Sequence, residues 1–152
     1  AWWKFQPHAP ADGAAELWRS QQYETPDSAP LAVAPWRGKP LLVNFWATWC
    51  PPCVDELPLL NAFYREQQAR GWQVVGVAID QPSAVRRFTQ KLPLAFPVAI
   101  GGLQGTELSK ALGNSSGGLP LSVAFNSRGG VAERKLGHLK SDDLAQWVGA
   151  VG

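Results

Sequence analysis

The sequence contains no methionine, and only two cysteines and two histidines among its 152 residues. Two cysteines are too few for a disulfide-stapled scaffold. A zinc site takes about four ligands, and Cys50, Cys53 and one distant histidine make a poor set. The missing methionine removes one oxidation-prone side chain, but eight tryptophans remain, so the compartment does not follow from composition. No run of about 18 apolar residues is present, so nothing in the sequence reads as a membrane span. There is no charged-then-apolar leader, no repeat and no low-complexity tract. An excess of one charge is also lacking. The net charge is only +2, and Arg65, Arg70, Arg86, Arg87, Lys110, Arg134, Lys135 and Lys140 are scattered without a cationic stripe. That argues against nucleic acid as the main partner. Gly117-Gly118 lacks the lysine and the spacing of a phosphate loop.

What is present suits one domain with a sizeable core. A hydrophobic share of 45% with 17% charged residues excludes a disordered chain. The sequence opens abruptly on Ala1-Trp2-Trp3. Tryptophan favours the membrane–water interface, so one reading places this start just after a removed signal or anchor. The other is an apolar N-terminus that packs on the domain. Residues 6–27 carry Pro7, Pro10, Gly13 and Pro26 with weak periodicity. They read as a mostly extended lead-in, with Leu17 and Trp18 anchored to the core. Pro35-Trp36-Arg37-Gly38-Lys39-Pro40 is punctuation before a strand.

The rest of the chain is organised around Phe45-Trp46-Ala47-Thr48-Trp49-Cys50-Pro51-Pro52-Cys53, which holds both cysteines. The apolar run 41–45 leading into it predicts a strand covered on both faces. Pro51 suits the first turn of a helix. That helix has Leu57, Leu60 and Tyr64 in phase with Leu59 and Phe63 beside them, a kink at Pro58 and a stop at Gly71. Residues 74–79 predict a second buried strand, so a right-handed parallel crossover joins the two. Ser83 is expected to cap a helix facing inward through Val85, Phe88 and Leu92. A short strand follows at Val98-Ala99-Ile100. Thr106 is expected to cap a further helix with Leu108, Ala111 and Leu112 inward. Residues 121–125 alternate as in a half-exposed strand, and Asn126-Ser127-Arg128-Gly129-Gly130 makes a hairpin turn to a returning strand at 131–136. Ser141 is expected to cap a last helix with Leu144, Trp147, Val148 and Val151 inward. The order predicts an α/β fold, a central mixed β-sheet with helices on both faces.

A lone Cys-x-x-Cys at a strand-to-helix junction fits reversible dithiol–disulfide exchange. Positions i and i+3 share a helix face, so both sulfurs can meet. Cys50, near the N-cap and the more exposed sulfur, is the candidate nucleophile. Unpaired N–H groups and the helix dipole favour its thiolate. With Cys50 at the N-cap, Pro52 falls at N2 and has no N–H, so only the Cys53 N–H remains as a local donor. A less favoured thiolate leaves the reduced form less stable, so the couple is expected to be a reductant. Cys53 is the candidate resolving cysteine, and its buried thiol needs a base to take its proton. Glu56, three positions on and on the same face, is the candidate base. The alternative is a solvated glutamate that merely favours the helix N-terminus. Asp55 points away by spacing. Asn44 cannot titrate, and its expected role is structural, bonding backbone or water. Trp49 could cover Cys50 and offer an apolar contact surface, while Trp46 reads as core. His8 and His138 read as surface residues.

Val43-Asn44-Phe45-Trp46-Ala47-Thr48-Trp49-Cys50-Pro51-Pro52-Cys53 followed by Glu56-Leu57-Pro58 resembles the TlpA/ResA branch of thioredoxin-like oxidoreductases, over about residues 31–151. The resemblance implies a thioredoxin-like fold with a helix–strand insert at about 81–105, and a lead-in over 1–30 packed on or preceding the domain at 31–152. Gly118-Leu119-Pro120 resembles the cis-proline segment, which implies that Pro120 is cis and faces the cysteine pair. The Leu119 backbone could then pair with an extended substrate peptide, with Trp49, Pro51 and Pro52 as further contacts. Asn44 stands where plain thioredoxins usually carry a buried aspartate. Leu121-Ser122 stands where Thr-Thr is common. The branch has an acid at the Glu56 position with a role in tuning or relaying protons.

The resemblance further implies a protein-disulfide reductase at the bacterial periplasm or extracytoplasmic face, often membrane-tethered. Its substrates would be cysteine-containing proteins such as apocytochrome c or copper-centre assembly proteins. A membrane thiol reductase would supply electrons. No metal or prosthetic cofactor is expected beyond the redox-active disulfide, and a monomer is expected. Two rival functions stand beside this one. The first is a disulfide-introducing oxidant, which the reduction potential separates from a reductant. The second is a metallochaperone holding Cu(I) on the two soft thiolates, which lacks a methionine or third soft ligand here.

Overall fold

The structure is a computed structural model that describes residues 16, 18–33 and 38–151. The expectations for residues 1–15 (His8 and the opening tryptophans among them), for Leu17 and for Pro35-Trp36-Arg37 lie outside these. Strands β1 (Tyr23–Glu24), β2 (Pro30–Leu31), β3 (Leu41–Trp46), β4 (Gln73–Ala78), β5 (Val98–Ile100), β6 (Leu121–Phe125) and β7 (Val131–Leu136) form one sheet. Its order is β2-β1-β5-β4-β3-β6-β7. The pairs β3–β4 and β4–β5 are parallel, whereas β3–β6 and β6–β7 are antiparallel. Helices α1 (Pro51–Gln67), α2 (Pro82–Lys91), α3 (Gly102–Ala111) and α4 (Ser141–Val151) complete the fold.

The pleat sends alternate residues of each strand to opposite faces. Leu42, Trp46, Val74 and Ala124 pack with Leu57 and Leu60 of α1, Val85 of α2 and Leu144 and Trp147 of α4. On the other face, Val43, Phe45, Val75, Val77 and Val123 pack with Leu108 of α3, with Leu112 just after it, and with Trp18 and Tyr23. Helices thus cover both faces, and the mixed thioredoxin-like sheet expected from the sequence is present. The α2–β5 segment occupies the place of the expected insert. Residues 18–20 of the lead-in are helical rather than extended, and Trp18 is buried. No helix among the described residues is long and apolar enough to cross a membrane.

Four local expectations are corrected. Strand β6 is buried throughout, not half-exposed. It lies between β3 and β7, so its alternation is of large residues against small ones, not of buried against solvated. Ser83 does not cap α2. The helix begins one residue earlier at Pro82, whose missing N–H fits the first turn. Thr106 lies inside α3, its hydroxyl donating to the Gly102 carbonyl at 3.1 Å, because the helix starts from the Gly101-Gly102 turn. Ser141 is the first residue of α4 itself. There the Lys140 N–H donates to the Asp143 carboxylate at 2.9 Å.

Gly76 sits where β4 passes beneath Trp46. A Cβ there would lie 2.8 Å from Trp46 Nε1 and 3.1 Å from Phe96 Cε1. Both rings are buried and neither can retreat to solvent. Gly76→Ala is therefore expected to cost about 1–3 kcal/mol by overpacking, read as a lower urea midpoint at unchanged slope.

Candidate active site

Strand β3 ends at Trp46 and delivers the chain into the turn that carries Cys50. The Thr48 N–H donates to Asp80 Oδ2 at 2.9 Å, and its hydroxyl donates to the same oxygen. Asp80 follows β4, so the neighbouring strand braces the turn. Cys50 is the N-cap of α1, in extended conformation, with Pro51 and Pro52 opening the helix. Its side chain makes no capping hydrogen bond, because Cys50 and Cys53 are joined as a disulfide with their Cα atoms 5.3 Å apart. That separation is ordinary for the bond.

The two cysteines are not equivalent. Cys50 keeps 6% of its surface exposed and Cys53 keeps none. Trp49, Pro51 and Pro52 are exposed around them, and Trp49 at 65% is an unusually open tryptophan. Trp46 is core. Asp55 faces solvent.

Glu56 is fully buried on the inward face of α1 that also carries Cys53, so the solvated alternative is excluded. Asn44 Nδ2 donates to Glu56 Oε1 at 2.6 Å, and the Leu139 N–H donates to Glu56 Oε2 at 2.7 Å. Burial pushes the Glu56 carboxyl up. The Leu139 and Asn44 hydrogen bonds and the charges of His138 and Lys135 pull against that rise without cancelling it. Lys135 is itself engaged with Asp143 at 2.6 Å, and that bond holds the Asp143 carboxyl below its usual range.

Among the described residues, the Asn44 amide bonds side chains rather than backbone. Its Nδ2 also donates to Ser122 Oγ at 3.0 Å, and its buried Oδ1 has no partner among the described residues. His138 is not a plain surface residue. It is half-buried with Nδ1 sealed from solvent, and it precedes the residue that binds Glu56. Ser122 and the Leu139 N–H are parts of this site that the sequence reading missed. A serine inside an apolar strand was the available signal for the first, and a backbone donor leaves none.

The Leu119–Pro120 peptide bond is cis, as the resemblance implied. Pro120 is buried and Leu119 half-buried. The Gly137 N–H donates to the Pro120 carbonyl at 2.8 Å. Among the described residues, no three His, Cys, Asp or Glu side chains form a group able to hold a metal ion.

Comparison with known proteins agrees with this geometry. The chain is 36% identical over 114 residues to a thiol-disulfide oxidoreductase ResA of Bacillus cereus, a match covering 74% of this chain and 63% of that protein. The chain thus spans just under two thirds of that relative's length. Among solved structures, a thiol:disulfide interchange protein of the thioredoxin family from Chlorobium tepidum TLS superposes with a TM-score of 0.74 at 30% identity. That superposition covers 87% of this chain and 93% of the other. MTB dsbF, solved in mixed oxidised and reduced forms, gives a TM-score of 0.74 at 25% identity over 90% and 98% of the two chains. The match to the Redoxin family extends over residues 19–148, from the lead-in to the last helix and across both cysteines. The chain belongs to the Redoxin family, with a thioredoxin-like fold.

Proposed function

We propose that this protein is a thiol–disulfide oxidoreductase that reduces disulfides in extracytoplasmic proteins. The observation that carries the reading is the asymmetry of the pair: one cysteine at the N-terminus of α1 that keeps some exposed surface, and one in the same turn that keeps none. In the reduced protein the Cys50 thiolate attacks one sulfur of a substrate disulfide. That S–S bond breaks, a mixed disulfide forms, and the released substrate thiolate takes up a proton. The Cys53 thiol gives its proton to Glu56 and attacks the Cys50 sulfur. The mixed disulfide breaks, the second substrate sulfur leaves as a thiolate that takes up a proton from solvent, and the Cys50–Cys53 disulfide remains. Two electrons pass from the dithiol to the substrate, and an external dithiol restores the protein. Leu119 and Pro120 hold the substrate strand, with Trp49, Pro51 and Pro52 around it.

Several further particulars belong to this reading. The substrates are cysteine-containing proteins, with apocytochrome c or copper-centre assembly proteins as candidates. The donor is a membrane thiol reductase, and the protein is a monomer held at the periplasmic or extracytoplasmic face by an N-terminal anchor. The likeness to ResA supports the class of reaction. The two prolines at the helix start support a reductant, because they leave the Cys50 thiolate short of local donors.

Cys53→Ser expressed in cells tests this. It is expected to accumulate mixed disulfides through Cys50 that dithiothreitol releases and mass spectrometry identifies. A Cys53→Ser protein that carries no adduct, while the wild type cycles between its redox states, would sink the proposal.

A further inference from the structure

We infer that Asn114 is a positioning residue for the substrate-pairing segment, fixing the backbone that enters the cis Leu119–Pro120 bond. The inference rests on the proposed function, in which an extended peptide disulfide pairs with that segment.

Between α3 and β6 the chain runs as a connector. Asparagine in a connector usually faces water, yet Asn114 is only 3% exposed. Its amide is fully engaged. Nδ2 donates to Ser109 Oγ at 2.9 Å and to the Gly118 carbonyl at 2.7 Å, and Oδ1 accepts from the Ser116 hydroxyl at 3.1 Å. Its backbone joins the network, the N–H donating to the Ser109 carbonyl at 3.1 Å and the carbonyl accepting from the Gly117 N–H at 3.3 Å. Ser109 is itself buried and belongs to α3, so the connector is bonded to a packed helix. Arg134 of β7 holds the start of the connector through the Leu112 carbonyl at 2.8 Å. The Gly137 N–H holds its end at Pro120.

An extended peptide that pairs with a backbone segment is bound through main-chain N–H and C=O groups. Such pairing is weakened by whatever freedom the receiving segment must give up. Asn114 fixes the Gly118 carbonyl one residue ahead of Leu119, so the segment is ordered before a peptide arrives. None of the bonds in this network involves Cys50, Cys53 or Glu56. The role therefore predicts a defect in peptide binding with the redox chemistry intact, which a general loss of structure would not produce.

Asn114→Asp keeps the size of the side chain but is acceptor-only when ionised. Both donations are lost and a negative charge faces the Gly118 carbonyl. Assayed on the full chain, this variant is expected to raise KM for a disulfide-bonded peptide about tenfold. Its kcat, its exchange rate with dithiothreitol and the midpoint potential of the cysteine pair are expected to match the wild type. Ser109→Ala removes one acceptor of the amide and is expected to raise KM about threefold in the same assay. It decides the matter should the aspartate variant not fold. An unchanged KM, an equal loss in the dithiothreitol reaction, or a displaced potential would overturn the inference. A wild-type protein that exchanges with dithiothreitol but leaves peptide disulfides intact would instead overturn the peptide-substrate reading.

Discussion

Cys50→Ser is expected to reduce disulfide exchange to the uncatalysed background, measured as reduction of a disulfide-containing test protein by dithiothreitol. Three observations set the size of this effect. Cys50 is the one cysteine of the pair with any exposed surface, and Cys53 has none. A serine hydroxyl without an adjacent base is a weak nucleophile at neutral pH. The remaining Cys53 lies in the first turn of α1 with no exposed surface, which keeps a partner sulfur from it. The fold should survive, because Cys50 sits at a helix terminus and closes only a short loop. Opening a loop of this length costs about 2 kcal/mol in the chain-entropy account. Thermal melts of the variant should therefore match those of the reduced wild type, not the oxidised one. Catalysis retained at more than a trace in this variant would move the nucleophile elsewhere.

Glu56→Ala is expected to lower stability by about 2–4 kcal/mol, or roughly 5–15 °C in Tm for a domain of this size. Truncation leaves one N–H of Asn44 Nδ2 and the Leu139 N–H as buried donors without an acceptor, while the other Asn44 N–H keeps Ser122 Oγ. Relief of the carboxylate's own desolvation offsets part of that. Glu56→Gln separates charge from shape, and its signature is pH. Burial raises the Glu56 carboxyl above its ordinary value of 4.5, so the folded state holds this proton more tightly than the unfolded chain does. The stabilisation from that proton is complete below about pH 4.5. It is lost as pH rises through the folded-state value. Across that window the wild type should lose stability relative to Glu56→Gln, whose side chain has no proton to release. Parallel urea titrations from pH 4 to 8 measure it. The same variant should slow the Cys53 step, because an amide cannot take the thiol's proton. Identical pH profiles for the two proteins, in stability and in exchange rate, would remove Glu56 from the mechanism.

The parts of this molecule that could be read in the sequence are those where one local pattern had one physical meaning. The unbroken apolar runs at β3 and β4 fit covered parallel strands, and the Cys-Pro-Pro-Cys segment marked the start of α1. Strand β6 shows how the same reasoning fails. Leu121-Ser122-Val123-Ala124-Phe125 alternates, and alternation alone does not distinguish a solvated face from one packed with small residues. Only the placement of β6 between β3 and β7 decides it. Helix starts were misplaced where proline or glycine geometry, not a side-chain cap, began the helix, at Pro82 and Gly102. The burial of Glu56 was beyond local reading, because its partners come from β3 and from the segment before α4. The cis bond at Pro120 came from resemblance. A single X–Pro pair carries almost no such information by itself.

The link between β7 and α4 makes two main-chain bonds within three residues. Gly137 grips the carbonyl of Pro120, and Leu139 grips the carboxylate of Glu56. The loop proposed to receive a substrate and the buried Glu56 carboxylate are therefore fastened to one short crosspiece. Removing this crosspiece with the last helix would separate substrate reception from proton handling, even if both cysteines stayed in place.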